Sequence, residues 1–195
     1  TAIQHTSNRV FGTVSVTVCG RSGGWRLASI SMPVQTSTIS PNVRGYWFTA
    51  PTNFTNTSLQ VPTTASSGSQ NIAVLRFTGN TPPPVFAATT NAFTTLFLTQ
   101  NDVTPGNIAV NIPVSSGDVI GILGSRADID SYGDGSSGII IAGFPVSTVR
   151  MGMQLPLSTN APQSIWQEPS STNISRVLFT YTTEVTCTGT PKTFT

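Results

Sequence analysis

Residues 114–155, VSSGDVIGILGSRADIDSYGDGSSGIIIAGFPVSTVRMGMQL, contain the pattern on which the fold prediction depends. Two short apolar runs, at residues 119–123 and 138–142, flank a segment rich in aspartate and glycine. Apolar runs of this length, bounded by turn residues, are typical of strands buried on one or both faces. The stretch therefore predicts a strand, a loop and a second strand in immediate succession.

The loop between these strands holds three of the seven carboxylates in the chain, Asp128, Asp130 and Asp134. Calcium takes several oxygen ligands, which a flexible loop can supply from alternating side chains and a main-chain carbonyl. The sequence thus predicts a calcium site formed by these carboxylates, with the Tyr132 carbonyl as a fourth ligand. The pattern differs from an EF-hand because no glutamate follows at the twelfth position. The alternative is a solvated turn in which aspartate and glycine only reverse the chain.

Alternating apolar and polar residues predict strands along the rest of the chain. The ten predicted strands cover residues 10–19, 43–50, 55–61, 72–77, 93–99, 108–114, 119–123, 138–142, 149–155 and 177–187. No window repeats apolar residues with helical spacing over three turns, and no block of strong helix formers is present. The chain is therefore predicted to be all-β.

Ten short strands separated by turn signals favour a two-sheet antiparallel sandwich with a jelly-roll-like arrangement. An up-and-down barrel is the alternative. A length of 195 residues suits one domain with a sizeable core. We therefore expect residues 1–195 to form a single β-sandwich domain, with residues 1–9 as an N-terminal arm and residues 188–195 as a C-terminal tail.

Hydroxyl groups replace charge as the main source of polarity. The chain has 31 threonines and 23 serines, whereas charged residues make up only 8%, against roughly 25% in an average soluble protein. Threonine favours strands and serine favours turns, so this composition indicates a β-rich protein that is extracellular or at the cell surface. The nine basic residues are scattered singly, which argues against nucleic acid as a partner. No apolar run approaches 18 residues, and we expect neither a membrane span nor a retained signal peptide.

The two cysteines, Cys19 and Cys187, lie near opposite ends of the chain. In an exported protein we expect them to form one disulfide, which would bring the first and last strands together. Closing so long a loop stabilises by roughly 4 to 5 kcal/mol in the chain-entropy account. Two unrelated buried thiols are the alternative.

Residue types suited to catalysis are scarce. The single histidine, His5, lies in the N-terminal arm, which argues against a Ser-His-Asp triad and a His-rich zinc site. A glycosidase needs two carboxylates, and Glu168 or Glu184 could act with an aspartate. Glu184, however, is expected on the outward-facing side of its predicted strand, and Glu168 lies in a segment rich in proline and serine. We therefore predict that the protein is not an enzyme.

Aromatic residues raise the possibility of carbohydrate binding, because sugar-binding sandwich modules present rows of tryptophan or tyrosine. The candidates are Trp25, Trp166 and Tyr132, of which the two tryptophans are expected in exposed loops. Trp47 lies within a predicted strand and is expected in the core or at a sheet edge.

Three sequons could accept N-linked glycans at Asn53, Asn56 and Asn173. A chain rich in threonine and serine produces such triplets by chance. The sequons are therefore compatible with an exported glycoprotein without requiring one.

Four segments carry a resemblance to a known class of proteins: GYWFTAP at 45–51, VPTTASSGSQNIAVLRF at 61–77, GDVIGILG at 117–124 and RMGMQ at 150–154. Together they resemble modules of secreted, uncharacterised bacterial cell-surface proteins over residues 43–181. The resemblance implies export and a β-sandwich. It implies no activity and no functional residues.

The sequence as a whole predicts an extracellular structural protein that assembles with copies of itself, as a filament or surface-layer subunit. Contacts between unpaired strand edges would join the copies, because edges with little charge are open to pairing. The unpaired strand expected near the N-terminus is one such edge. The alternative is a calcium-dependent carbohydrate-binding or adhesive module that recognises surface glycans.

Overall fold

The computed structural model describes residues 25–184 and, outside that range, the main chain of the short strands Val14–Val16 and Lys192–Phe194. These residues form seventeen strands and one 3-10 turn at Thr78–Asn80, with no α-helix among them. Accordingly, no described helix has the length and apolar character needed to cross a membrane. The strands are β1 (Val14–Val16), β2 (Trp25–Ser29), β3 (Gln35–Ile39), β4 (Arg44–Thr49), β5 (Phe54–Gln60), β6 (Gln70–Phe77), β7 (Phe93–Asp102), β8 (Ile108–Val114), β9 (Val119–Arg126), β10 (Asp130–Asp134), β11 (Ile139–Ile141), β12 (Phe144–Val146), β13 (Val149–Gly152), β14 (Trp166–Glu168), β15 (Asn173–Ser175), β16 (Leu178–Glu184) and β17 (Lys192–Phe194).

The chain divides into two compact units, Leu27–Thr183 and a smaller one formed by Thr1–Arg26 with Glu184–Thr195. In the smaller unit β1 pairs antiparallel with β17, so that Val14 lies opposite Phe194. The described part of the predicted N-terminal strand is thus paired within its own chain. Likewise, the expected C-terminal tail contains a strand. Cys19 and Cys187 lie outside the described residues.

A six-stranded antiparallel sheet is the centre of the larger unit, in the order β14-β13-β4-β9-β6-β7. Every residue of β9 is buried, including the apolar run at 119–123 that predicted a strand buried on one or both faces. Close packing depends on Gly45 of β4, because a Cβ there would overlap the Ile122 carbonyl oxygen of β9.

A four-stranded sheet, in the order β2-β16-β5-β8, packs on one face of the six-stranded sheet. Aromatic rings join the two layers, since Phe48 of β4 stacks on Phe179 of β16 with the ring centroids 5.9 Å apart. The Tyr46 hydroxyl donates a hydrogen bond to the Val177 carbonyl at 2.7 Å. The prediction of an all-β antiparallel sandwich is confirmed. The two main sheets together contain ten strands, and the other seven belong to smaller sheets.

Loops cover the opposite face of the six-stranded sheet. Met153, Leu157 and Ile165 are fully buried there against Leu75 and Leu123. Main-chain hydrogen bonds between Thr90 and Ile165 tie the two covering segments, residues 83–92 and 153–165, to each other. The inner strands β6 and β9 of the six-stranded sheet are therefore covered on both faces.

The loop after β9 is much shorter than the sequence predicted. Only Ala127 and Asp128 form the turn, both with positive φ, between Arg126 and Ile129, which exchange two main-chain hydrogen bonds. Such a two-residue turn with positive φ suits a tight hairpin. Residues 130–134 then form β10, the central strand of a three-stranded sheet ordered β15-β10-β3. Pairing on both sides overrides the local turn preference of aspartate and glycine.

Candidate functional sites

A polar cluster lies where β10 meets the β4-β13-β14 side of the six-stranded sheet. Asp130, at the start of β10, is fully buried. One of its carboxylate oxygens, Oδ1, accepts the main-chain N–H of Arg44 at 3.2 Å, and the other has no hydrogen-bond partner among the described residues. Burial raises the pKa of this carboxyl well above its usual range, against the opposing effects of the Arg44 hydrogen bond and charge and of the nearby Ser175 hydroxyl, which itself donates to the Gly124 carbonyl at 3.0 Å.

Tyr132 follows two residues later, on the same face of the strand. Its side chain is 6% exposed, and its hydroxyl lacks a partner within the described chain. The Arg150 guanidinium lies 5.8 Å from the ring centroid. Burial, followed by the charge of Asp130, raises the pKa of Tyr132 to about 12. A ring buried in this way is not presented to a sugar, so the carbohydrate prediction for Tyr132 is not supported by its position.

Arg44 extends across the surface of the sheet and is almost completely buried. Its guanidinium donates to the main-chain oxygens of Val43 and Met153, at 3.0 and 2.7 Å, and to Gln154 Oε1 at 3.1 Å. Burial lowers the pKa of Arg44. Gly152 makes room for this side chain, because an added Cβ would lie 2.6 Å from Arg44 Cδ. The sequence did carry a signal for this residue, namely a lone charge beside Val43 in an otherwise apolar strand.

The guanidinium of Arg44 lies over the ring of Trp166, 4.7 Å from the ring centroid. The Trp166 side chain is fully buried on β14, whereas the sequence predicted an exposed loop. That prediction is wrong because pairing with β13 makes residues 166–168 a strand. The ring serves as a packing surface and is not available as a sugar platform.

Arg150 and Glu168 lie opposite each other on β13 and β14 and form a salt bridge. Their side chains are 20% and 29% exposed, so they mark the solvent side of the polar cluster. The carboxylate of Glu168 is thus paired with the Arg150 guanidinium. Glu184, the other candidate carboxylate, lies exposed at the end of β16.

The carboxylates of the three aspartates predicted to bind calcium do not converge on a common position. Asp130 and Asp134 lie at opposite ends of β10, about 13 Å apart at the usual rise of a strand. Asp134 is exposed, and its Oδ1 accepts the main-chain N–H of Ser136 at 2.9 Å. Asp128 lies in the hairpin turn, where its Oδ2 accepts a hydrogen bond from Ser158 Oγ at 2.6 Å. Within the described part of the chain, no group of three or more His, Cys, Asp or Glu side chains is placed to hold a metal ion.

Trp25 is the exposed member of the predicted sugar-binding set. It is 63% exposed on β2, and Leu27, two residues on, is 66% exposed. The sequence placed Trp25 in a turn, whereas the structure places it in an edge strand of the four-stranded sheet. Trp25 and Leu27 share a face of that strand by its two-residue period.

The three sequons differ in their environment. Asn53 is exposed, and its Oδ1 accepts the main-chain N–H of Ser116 at 2.8 Å. Asn173 is half-buried on β15, whereas Asn56 is only 3% exposed within β5. A glycan on Asn56 is incompatible with the folded sheet, so the prediction for this residue is wrong.

The longest described strand, β7, forms an edge of the six-stranded sheet and pairs only with β6. Apart from this ladder, residues 94–100 make no main-chain hydrogen bond to any described residue. The strand contains no proline, lysine or arginine, and its one charge, Asp102, is at its end. Natural edge strands are usually protected by such residues or by β-bulges, so the protection of β7 is limited to two register shifts in its ladder with β6.

The next strand, β8, is the edge of the other sheet, and the connection at residues 103–107 joins the two edges. Core side chains reach this flank of the sandwich, where Leu96, Phe97, Ile108 and Val110 are only partly buried. Buried donors hold the connection in place: Gln70 Nε2 donates to Thr104 O and Gly106 O, both at 2.8 Å. The sequence predicted both strands but not that they are edges.

No family model, curated protein or solved structure matches this chain. The resemblance to bacterial cell-surface modules therefore stays a prediction, and the functional argument depends on the sites described above.

Proposed function

We propose that this protein is an extracellular structural subunit that assembles with copies of itself through the open edge of β7. The observation that supports this proposal is a ten-residue edge strand without proline or a basic side chain. A free edge of this kind pairs readily with another strand, because its N–H and C=O groups are already arranged for a ladder.

A second copy of the chain is the partner that the charges of β7 favour. Antiparallel pairing of β7 with β7 of another copy would extend the six-stranded sheet across a twofold axis. Residues 93–101 carry no charge, so no like charges oppose each other near the middle of such a pair. The partly buried Leu96 and Phe97 would lose further contact with water.

One twofold contact yields a closed dimer, whereas a filament needs a second contact at another surface. The edge strand β2 is suited to this role because it exposes Trp25 and Leu27. The sequence predicted an unpaired strand near the N-terminus as one contact edge. The described part of that N-terminal strand is paired with β17, so we propose the β2 edge in its place.

Lysine substitution on β7 tests the proposal. Thr95 is exposed on this strand, and a lysine there would place like charges in the paired ladder. Thr172→Lys is the matched control, because Thr172 is exposed between β14 and β15, at the opposite side of the sheet. The mass in solution is measured by light scattering over a hundredfold range of concentration.

We expect the wild type and Thr172→Lys to form dimers or larger species as concentration rises, and Thr95→Lys to stay a monomer. A wild type that remains monomeric at the highest concentration would refute assembly. If Thr95→Lys associates as the control does, then assembly uses a surface other than β7.

A calcium-dependent carbohydrate-binding or adhesive module is the second candidate, and the exposure of Trp25 favours it. Exposed tryptophan rings are suited to stacking on apolar faces of ligands. A glycan array probed with and without calcium tests this candidate, with Trp25→Ala as the variant and Trp47→Ala as a comparison. Binding that Trp25→Ala retains would exclude the proposed platform.

A further inference from the structure

Among the buried side-chain polar atoms without a hydrogen-bond partner in the described part of the chain, three are oxygens on neighbouring residues around one hairpin. These are Asp128 Oδ1, Asp130 Oδ2 and the Tyr132 hydroxyl. Buried polar atoms are normally satisfied by protein, water or an ion. Water or an ion is therefore expected to satisfy the three oxygens around this hairpin.

The two carboxylates are held in the same way. Asp128 Oδ2 accepts from Ser158 Oγ at 2.6 Å, and Asp130 Oδ1 accepts from the Arg44 main-chain N–H at 3.2 Å. Each group is thus fixed through one oxygen and leaves the other oxygen unpartnered. Asp128 lies in the two-residue turn and Asp130 begins β10, so the two carboxyl groups are two residues apart in one hairpin.

No neighbouring cation forms a direct ion pair with either carboxylate among the described residues, although Arg44 lies close to Asp130. The guanidinium of Arg44 directs its Nη atoms to main-chain oxygens and to Gln154, and it forms no ion pair with Asp130. Arg150 is paired with Glu168. In its ionised form each carboxylate only accepts hydrogen bonds, so its free oxygen then needs a donor or a cation.

We propose that Asp128 Oδ1 and Asp130 Oδ2 bind one calcium ion, with the Tyr132 hydroxyl as a neutral oxygen on the same side. Calcium suits this site because it takes oxygen ligands only, tolerates irregular geometry and accepts water for its remaining positions. Zinc does not fit, since neither histidine nor cysteine contributes. The site differs from the one expected from the sequence because Asp134, at the far end of β10, is not a ligand.

Both carboxylate oxygens of the proposed site are buried, including the one contributed by Asp128. This residue lies at the tip of the β9–β10 hairpin and is half-buried, whereas Asp130 is fully buried beneath it. The ion would lock the hairpin to the loop that carries Ser158. Calcium would therefore stabilise the larger unit whether or not the protein assembles.

Calcium titration of chelator-treated protein tests the proposal, with thermal melting and calorimetry as readouts. Asp130→Asn removes a ligand charge, and Asp134→Asn makes the same substitution at an exposed aspartate outside the site. At a calcium concentration a hundredfold above Kd we expect the melting temperature of the wild type to rise by about 5–10 °C. Magnesium should have a smaller effect.

We expect Asp134→Asn to respond as the wild type does and Asp130→Asn to lose the response. Asp128→Asn serves as a second variant should Asp130→Asn not fold. A wild type without a calcium response overturns the proposal, as does loss of the response in Asp134→Asn alone. If the wild type ignores calcium while Asp130→Asn melts higher, a proton, and not a metal ion, occupies Asp130.

Discussion

Replacing Arg126 by methionine is expected to destabilise the larger unit strongly. Arg126 is 1% exposed at the end of β9, and no carboxylate of the described chain pairs with it. Instead, its guanidinium donates to three main-chain oxygens, those of Val61 at 2.6 Å and of Gly68 and Pro105 at 2.8 Å. One buried cation thus connects three segments, including the connection between β7 and β8.

The magnitude follows from these three bonds. Hydrogen bonds from a charged donor are worth about 2 kcal/mol each, so their loss costs about 6 kcal/mol. Removing a buried charge returns part of its desolvation penalty, and methionine retains the apolar stem. We therefore expect Arg126→Met to lower the free energy of unfolding by about 4 kcal/mol, because three buried main-chain oxygens lose their donor.

Urea unfolding followed by tryptophan fluorescence measures this change, because Trp166 is fully buried in the folded state. With an m-value of about 2 kcal/mol/M, the midpoint should fall by about 2 M. Arg76→Met is the matched control, since Arg76 forms a partly exposed ion pair with Asp118 at 3.0 Å. Its loss should cost less than about 1 kcal/mol. Equal midpoints for the two variants would refute the assignment of Arg126 as a structural clamp.

Two further results are expected. Gly45→Ala should prevent folding of the larger unit, because a Cβ at this position overlaps a main-chain oxygen of β9. Gly106→Ala is the control and should fold normally, because the space around Gly106 is open. Circular dichroism distinguishes the folded variant from the unfolded one. In a glycosylating host, mass spectrometry of the folded, secreted protein should find glycan at Asn53 and none at Asn56, since only Asn53 is exposed, and an occupied Asn56 in folded protein would contradict the position of this side chain in β5.

Strand periodicity was readable from the chain alone where one or both faces of a strand are apolar. The strand predicted at residues 108–114 has the observed bounds of β8, and the apolar run at 119–123 lies within β9. These predictions succeed because alternation and apolar runs are local consequences of how side chains project from a strand.

The short strands β3, β10, β14 and β15 were missed because their residues have no alternating apolar pattern. Asp130 and its neighbours have turn preferences, yet β3 and β15 pair with β10 on both sides and bury it. Trp166 follows a segment rich in proline and serine, and its burial depends on Arg44, a residue from the other half of the chain. No local window contains such contacts.

The amino-acid sequence by itself determined that the protein is all-β, rich in hydroxyls, poor in charge and nearly free of catalytic residue types. Only the tertiary structure decided that β7 is an open edge, that Asp128 and Asp130 each keep one oxygen unpartnered, and that Asp134 lies apart from them. The physical reason is that side-chain alternation is encoded between adjacent residues. Edges and buried charges, in contrast, are defined by partners that only the folded chain brings into contact.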